Sequence, residues 1–187
     1  RYSVVRSFAA IDRCDVAILM IDALEGVTEQ DTKIAGYVDE RGKAAIICVN
    51  KWDAMEKETG TYEKYVKEVR EQLKFMDYAP ILFISALTGK RADKVLAAVR
   101  EAYAQSIKRV TTGVLNDVLQ DAMAYMQPPA VSGRRLKIYY ATQQAVQPPT
   151  FVVFINDEKL MQFGYERYLE NQFRKAFGFE GTPVRFI

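Results

Sequence analysis

Histidine does not occur in this chain of 187 residues. The commonest general base and zinc ligand is therefore missing, which argues against Ser-His and Cys-His triads and against most zinc chemistry. Cysteine is scarce. Cys14 and Cys48 are the only two, and they show neither metal-binding nor redox spacing, so no disulfide is implied. Cys48 lies in an apolar run and reads as a small core residue. No signal peptide is present, and no apolar run approaches the ~18 residues that mark a bilayer-spanning helix. The chain therefore reads as cytoplasmic, with no membrane partner, and a monomer is expected. Excess charge is lacking too. The chain has 26 Lys and Arg against 24 Asp and Glu, a net charge of +2, and neither half departs from that balance. Nothing here gives a strong electrostatic footprint for nucleic acid. The phosphate-cradling pattern Gly-x-x-x-x-Gly-Lys-Ser/Thr is also absent.

What is present suits a folded protein. Hydrophobic residues make up 49% and charged residues 27%, enough for one or two cores. Residues 2–13 carry apolar side chains at helical spacing. Residues 15–22 form an apolar strand. Thr28 predicts an N-cap for a helix reaching about residue 41, with Glu29 and Asp31 in its first turn and Gly42 past its end. A strand follows, Ala45-Ile46-Ile47-Cys48-Val49 running into Asn50. Residues 61–74 predict a charged helix with Tyr62, Tyr65, Val66, Val69 and Leu73 on one face. Residues 81–84 predict another strand, and 92–107 a helix. Strands alternating with helices imply a parallel sheet with right-handed crossovers.

The polar cluster Asn50-Lys51-Trp52-Asp53 closes the second strand, at the carboxyl end where open α/β sheets bind ligands. Its spacing has a chemical reason. Guanine offers two adjacent donors, N1–H and the exocyclic N2 amine, and one carboxylate at Asp53 accepts both in a bidentate pair. Adenine has an acceptor at N1 and no amine at C2, so it leaves that carboxylate unpaired, a cost of roughly 1–3 kcal/mol or more. The alkyl stem of Lys51 can lie on the base face while its ammonium ties neighbouring loops together. Asn50 can bond between loops or to the base. The bland alternative is a polar turn without a ligand. A second cluster, Ser85-Ala86-Leu87, ends the next strand, and the Ala86 N–H is a candidate donor to guanine O6. Together the two clusters resemble the base-recognition half of a Ras-like GTPase domain.

Beyond about residue 109 the rhythm changes, and residues 109–113 read as a linker. A helix over 114–126, an alternating strand over 134–142, a long turn, a strand over 150–156, a helical turn near 157–161, a helix over 165–177 and a final strand over 182–187 follow. The order α-β-β-α-α-β is that of a KH-like α+β domain. Where a KH domain places its Gly-x-x-Gly clamp, this chain reads Met161-Gln162-Phe163-Gly164, so clamp-type RNA binding is not expected.

Asn50-Lys51-Trp52-Asp53, Ser85-Ala86-Leu87 and the run Leu136-Lys137-Ile138-Tyr139-Tyr140-Ala141-Thr142 resemble the Der (EngA) family of bacterial GTPases. So do Phe151-Val152-Val153-Phe154-Ile155-Asn156 and Phe177-Gly178-Phe179-Glu180-Gly181-Thr182-Pro183. The resemblance covers the whole chain and implies an α/β fold: part of a Ras-like P-loop domain, three-layered around a parallel sheet, over residues 1–110. A KH-like domain over 111–187 completes it. It implies a cytoplasmic GTP-binding and hydrolysing switch protein, with two tandem GTPase domains, that acts in assembly of the large ribosomal subunit. Its partners would be guanine nucleotide, GTP or GDP, with ribosomal RNA and proteins. Asn50, Lys51, Trp52, Asp53, Ser85, Ala86 and Leu87 are the implied nucleotide contacts. The phosphate loop, the switch regions, the Mg2+ ligands and every catalytic residue are expected upstream of Arg1. The alternative is a non-enzymatic fragment that docks on RNA or the ribosome, for which residues 111–187 would bind RNA in a salt-dependent way.

Overall fold

The computed structural model describes residues 2–187. Arg1, with the side chains of Tyr2 and Ser3, lies outside that description, and with it the reading of Arg1 as an internal start. Two compact units form. The first runs to Ser106 and takes in Glu180–Pro183; the second comprises Ile107–Phe179 and Val184–Ile187.

The first unit is built on three parallel strands in the order β1-β2-β3: β1 (Val16–Asp22), β2 (Ala44–Asn50) and β3 (Ile81–Phe83). The register sets Val16 opposite Ala44 and Asp22 opposite Asn50. Every residue of β2 except Asn50 is buried, as its unbroken apolar run requires of a strand covered on both faces. One face carries Leu19, Ile21, Ala45, Ile47 and Val49, which pack with Ala35, Val38, Tyr65 and Val69. These come from helices α2 (Glu29–Glu40) and α3 (Thr61–Gln72), with α1 (Tyr2–Arg13) adding Ile11. The opposite face sets Ala44, Ile46 and Cys48 against Ala102, Val95 and Val99 of α4 (Ala92–Ser106). The result is a three-layered α/β unit. Helix α2 starts where its cap predicts: Thr28 Oγ1 accepts the Asp31 N–H at 3.2 Å, and Asp31 Oδ2 accepts the Thr28 N–H at 2.9 Å.

The second unit packs α5 (Thr112–Tyr125) and α6 (Phe163–Phe177) on one face of a three-stranded sheet. In chain order, α5 is followed by a separate two-stranded hairpin of β4 (Ala130–Val131) and β5 (Arg134–Arg135). The sheet itself holds β6 (Ile138–Ala145), antiparallel to β7 (Thr150–Ile155), and β8 (Arg185–Phe186), parallel to β7. Leu115, Leu119, Phe151, Phe173 and Phe179 are fully buried at its centre. The apolar stripe of α5 thus serves its own unit's core. The strand expected over 134–142 is broken. Leu136 turns into the core, its N–H donating to the Pro129 carbonyl at 2.9 Å, and Asn156 Oδ1 accepts the Lys137 N–H. β6 instead runs on to Ala145, through half of the expected turn. The first of the two adjacent helices is a single 3₁₀ turn, Glu158–Leu160.

Candidate functional site

Strand β2 delivers Asn50 to the sheet's carboxyl edge, and the chain then turns sharply. Lys51 takes a left-handed backbone, φ 61 and ψ 28, and Trp52–Ala54 close a 3₁₀ turn. The Trp52 N–H donates to the Ile84 carbonyl at 3.2 Å, which draws this turn against the end of β3. The indole packs inward, edge-on to Phe83 at 4.5 Å and to Tyr65 at 5.4 Å between ring centroids. Trp52 therefore anchors the turn through the core. Asp53 is exposed and has no hydrogen-bond or ion-pair partner among the described residues.

Asn50 joins the two clusters. Its Oδ1 accepts the Ala86 N–H at 2.9 Å. By sequence that N–H is a candidate donor to guanine O6; in the structure Asn50 holds it, so the bond orders the Ser85–Leu87 turn from within the chain. Ser85 is buried. Its N–H donates to the Lys90 carbonyl at 3.1 Å, and its Oγ accepts the Thr88 N–H at 3.2 Å. Leu87 stands out from this closed turn, 89% exposed.

Asp22, outside both sequence clusters, also joins the site. Lys51 Nζ donates to Oδ2 of Asp22, the last residue of β1. The bond holds the Asp22 carboxyl below the usual carboxylate range and the Lys51 ammonium above the usual lysine range. Asp22 Oδ1 also accepts the Leu24 N–H at 2.9 Å. The available signal was position: Asp22 ends a buried strand that pairs in register with the strand ending at Asn50.

The site thus has three strand-end turns fastened to one another, with a free carboxylate at Asp53 beside them. Such an edge can accept two donors from a planar ligand while the Lys51 stem supplies an apolar shelf. A cavity of about 330 Å³ lies nearby, lined by Met55, Thr59, Gly60, Lys64, Tyr65 and Glu68; none of the seven candidate residues lines it. Among the described residues no three His, Cys, Asp or Glu side chains converge to suit a metal ion, and no helix is long and apolar enough to cross a membrane.

Known proteins share the sequence of this chain over its whole length. The sequence pattern of the elongation factor Tu GTP-binding domain matches residues 3–105. That of the C-terminal KH-domain-like region of EngA bacterial GTPase enzymes matches residues 109–187. The chain is 60% identical over 187 residues to GTPase Der of Acetivibrio thermocellus and 58% identical to GTPase Der of Ruminiclostridium cellulolyticum. All of this chain is covered in both cases, yet it spans only 42% of the length of each relative. Among solved structures, Era in complex with MgGDPNP and a 16S ribosomal RNA segment aligns with a TM-score of 0.46. It is 18% identical and covers 96% of this chain and 66% of its own. With the GTP-binding pattern over its first unit and the EngA-type pattern over the remainder, the chain belongs to the Der (EngA) GTPase family.

Proposed function

We propose that this chain is the guanine-recognising part of a GTP-hydrolysing switch protein. Asp53 accepts guanine N1–H and N2–H, the Lys51 stem supports the base face, and Asn50 with Ser85, Ala86 and Leu87 shapes the opposite wall. Trp52 holds the Asp53 turn in place from the core. The observation that carries this reading is the bond from Ala86 N–H to Asn50 Oδ1, which draws the two clusters together and leaves Asp53 open beside them. Hydrolysis of GTP belongs to the intact protein, where a bound Mg2+ would neutralise charge developing on the phosphates. Phosphoryl transfer needs a phosphate cradle and a metal site, and this sequence holds no phosphate-loop pattern. The finer reading is a cytoplasmic factor in large-ribosomal-subunit assembly, monomeric, with a GTPase portion over residues 1–110 and a KH-like domain over 111–187. Family membership and the KH-like pattern over 109–187 support it.

Fluorescent GDP titrated into the intact protein tests the site. Asp53→Ala should remove one equivalent of bound guanine nucleotide, and ATP should not compete. Asp53→Asn should shift preference toward xanthine nucleotides, because an amide can donate to xanthine O2. Equal competition by ATP and GTP would sink the reading.

A further inference from the structure

Three ties fasten the turn after β1 to the Lys51 turn. The Ala23 N–H donates to the Asn50 carbonyl at 2.9 Å. The Tyr65 hydroxyl donates to the Ala23 carbonyl at 3.2 Å while its ring stands edge-on to Trp52. Lys51 Nζ donates to Asp22 Oδ2. The first two use the Ala23 main chain and survive any side chain at position 22. The third depends on the Asp22 carboxylate alone.

The two partners of that third tie differ in freedom. Asp22 has its other oxygen on the Leu24 N–H, and its side chain is 23% exposed; that of Lys51 is 55% exposed. A lysine stem also has more rotamer freedom to lose than an aspartate. Lys51 further sits at φ 61, where residues other than glycine are uncommon. A well-held carboxylate thus holds the ammonium of a long, exposed stem on a left-handed backbone, one residue from Trp52 and two from Asp53. We infer that Asp22 is a positioning residue for the guanine nucleotide: it pins Lys51 so that the stem lies in place beside Asp53 before the base arrives. This rests on the guanine reading above. The depressed Asp22 carboxyl and the raised Lys51 ammonium agree with a charged pair.

The test uses the intact protein and the affinity and release rate of fluorescent GDP. Asp22→Asn keeps an oxygen for the Leu24 N–H and removes the charge. It should weaken GDP about three- to fivefold, the scale of an exposed ion pair, with the unfolding temperature of the nucleotide-free protein unchanged. Asp22→Glu should restore part of the loss. In a Lys51→Met background, Asp22→Asn should have no further effect. The other GTPase domain that the family resemblance implies serves as an internal control whose release phase stays constant. An equal loss from Asp22→Asn with and without Lys51, or no loss in a protein that does bind GDP selectively, overturns the inference alone. A wild-type protein without guanine preference overturns the reading beneath it as well.

Discussion

Asp53 and Lys51 lie two residues apart, and their charges face different tasks. The Lys51 ammonium is engaged by Asp22, while the Asp53 carboxylate is exposed and meets no hydrogen-bond or ion-pair partner among the described residues. The Asp22–Lys51 pair responds to pH only at the extremes. A depressed Asp22 gives its full stabilisation above the ordinary carboxylate pKa near 4 and loses it as the pH falls through its lower folded value. A raised Lys51 loses its contribution only as the pH rises through a folded value above about 10.4. GDP affinity measured across about pH 5–9 should therefore show no slope from this pair. Asn50→Ala should leave the Ala86 N–H without its partner, cost about 1–2 kcal/mol of binding or turn stability, and speed amide exchange at Ala86. Cys48, fully buried in β2, has its thiol pushed up to about 11 by desolvation. At pH 8 about one thiol in a thousand is thiolate, so Ellman's reagent should label Cys14 well before Cys48, and both at once after unfolding.

Helices and strands add their own tests. The α2 cap is reciprocal, so Thr28→Ala should lower stability by about 1 kcal/mol, read from a urea midpoint. In the second unit, Phe173 from α6 meets Phe151 of β7 edge-on at 5.2 Å, and both are fully buried. Phe173→Ala should cost about 3–5 kcal/mol and abolish cooperative unfolding of that unit. Tyr165 opens α6 with its hydroxyl donating to the Met126 carbonyl at 2.8 Å, and burial raises its pKa to about 12. The unfolded chain ionises tyrosine near pH 10, so its contribution is complete below that and lost as the pH climbs from about 10 to about 12. Circular dichroism at high pH follows the loss.

At the scale of the molecule, the first unit recruits residues from near the end of the chain. The Gly181 N–H donates to the Tyr78 carbonyl and its carbonyl accepts the Ala45 N–H, both at 2.8 Å. These close the main-chain groups where β2 and the approach to β3 begin. Gly181 has φ +83, and a Cβ there would come within 2.6 Å of Ala102 Cβ. Gly181→Ala should therefore destabilise the first unit by about 2–4 kcal/mol, combining a left-handed backbone with overpacking. Denaturant unfolding followed by Trp52 fluorescence measures it. A fragment ending at Ser106 should be destabilised as well, since Ala45 and Tyr78 lose these partners.

The alternation of helices and strands in the first unit, its parallel sheet and the polar turns at its strand ends were legible because each depends on local pattern. Apolar runs, helical spacing and polar residues at strand ends are set within a few positions of one another. The hairpin at β4 and β5 and the break before Ile138 were not legible, because an alternating run reads the same whether its pairing is continuous or interrupted. Tertiary packing alone assigned the Ala86 N–H to Asn50, 36 positions away, and the Lys51 ammonium to Asp22, 29 positions away. It also placed Gly181 beside Ala45. The sequence supplied many carboxylates and many donors, and their order along the chain does not say which will meet. That choice follows from strand register and crossover geometry, which bring distant strand ends to one edge of the sheet.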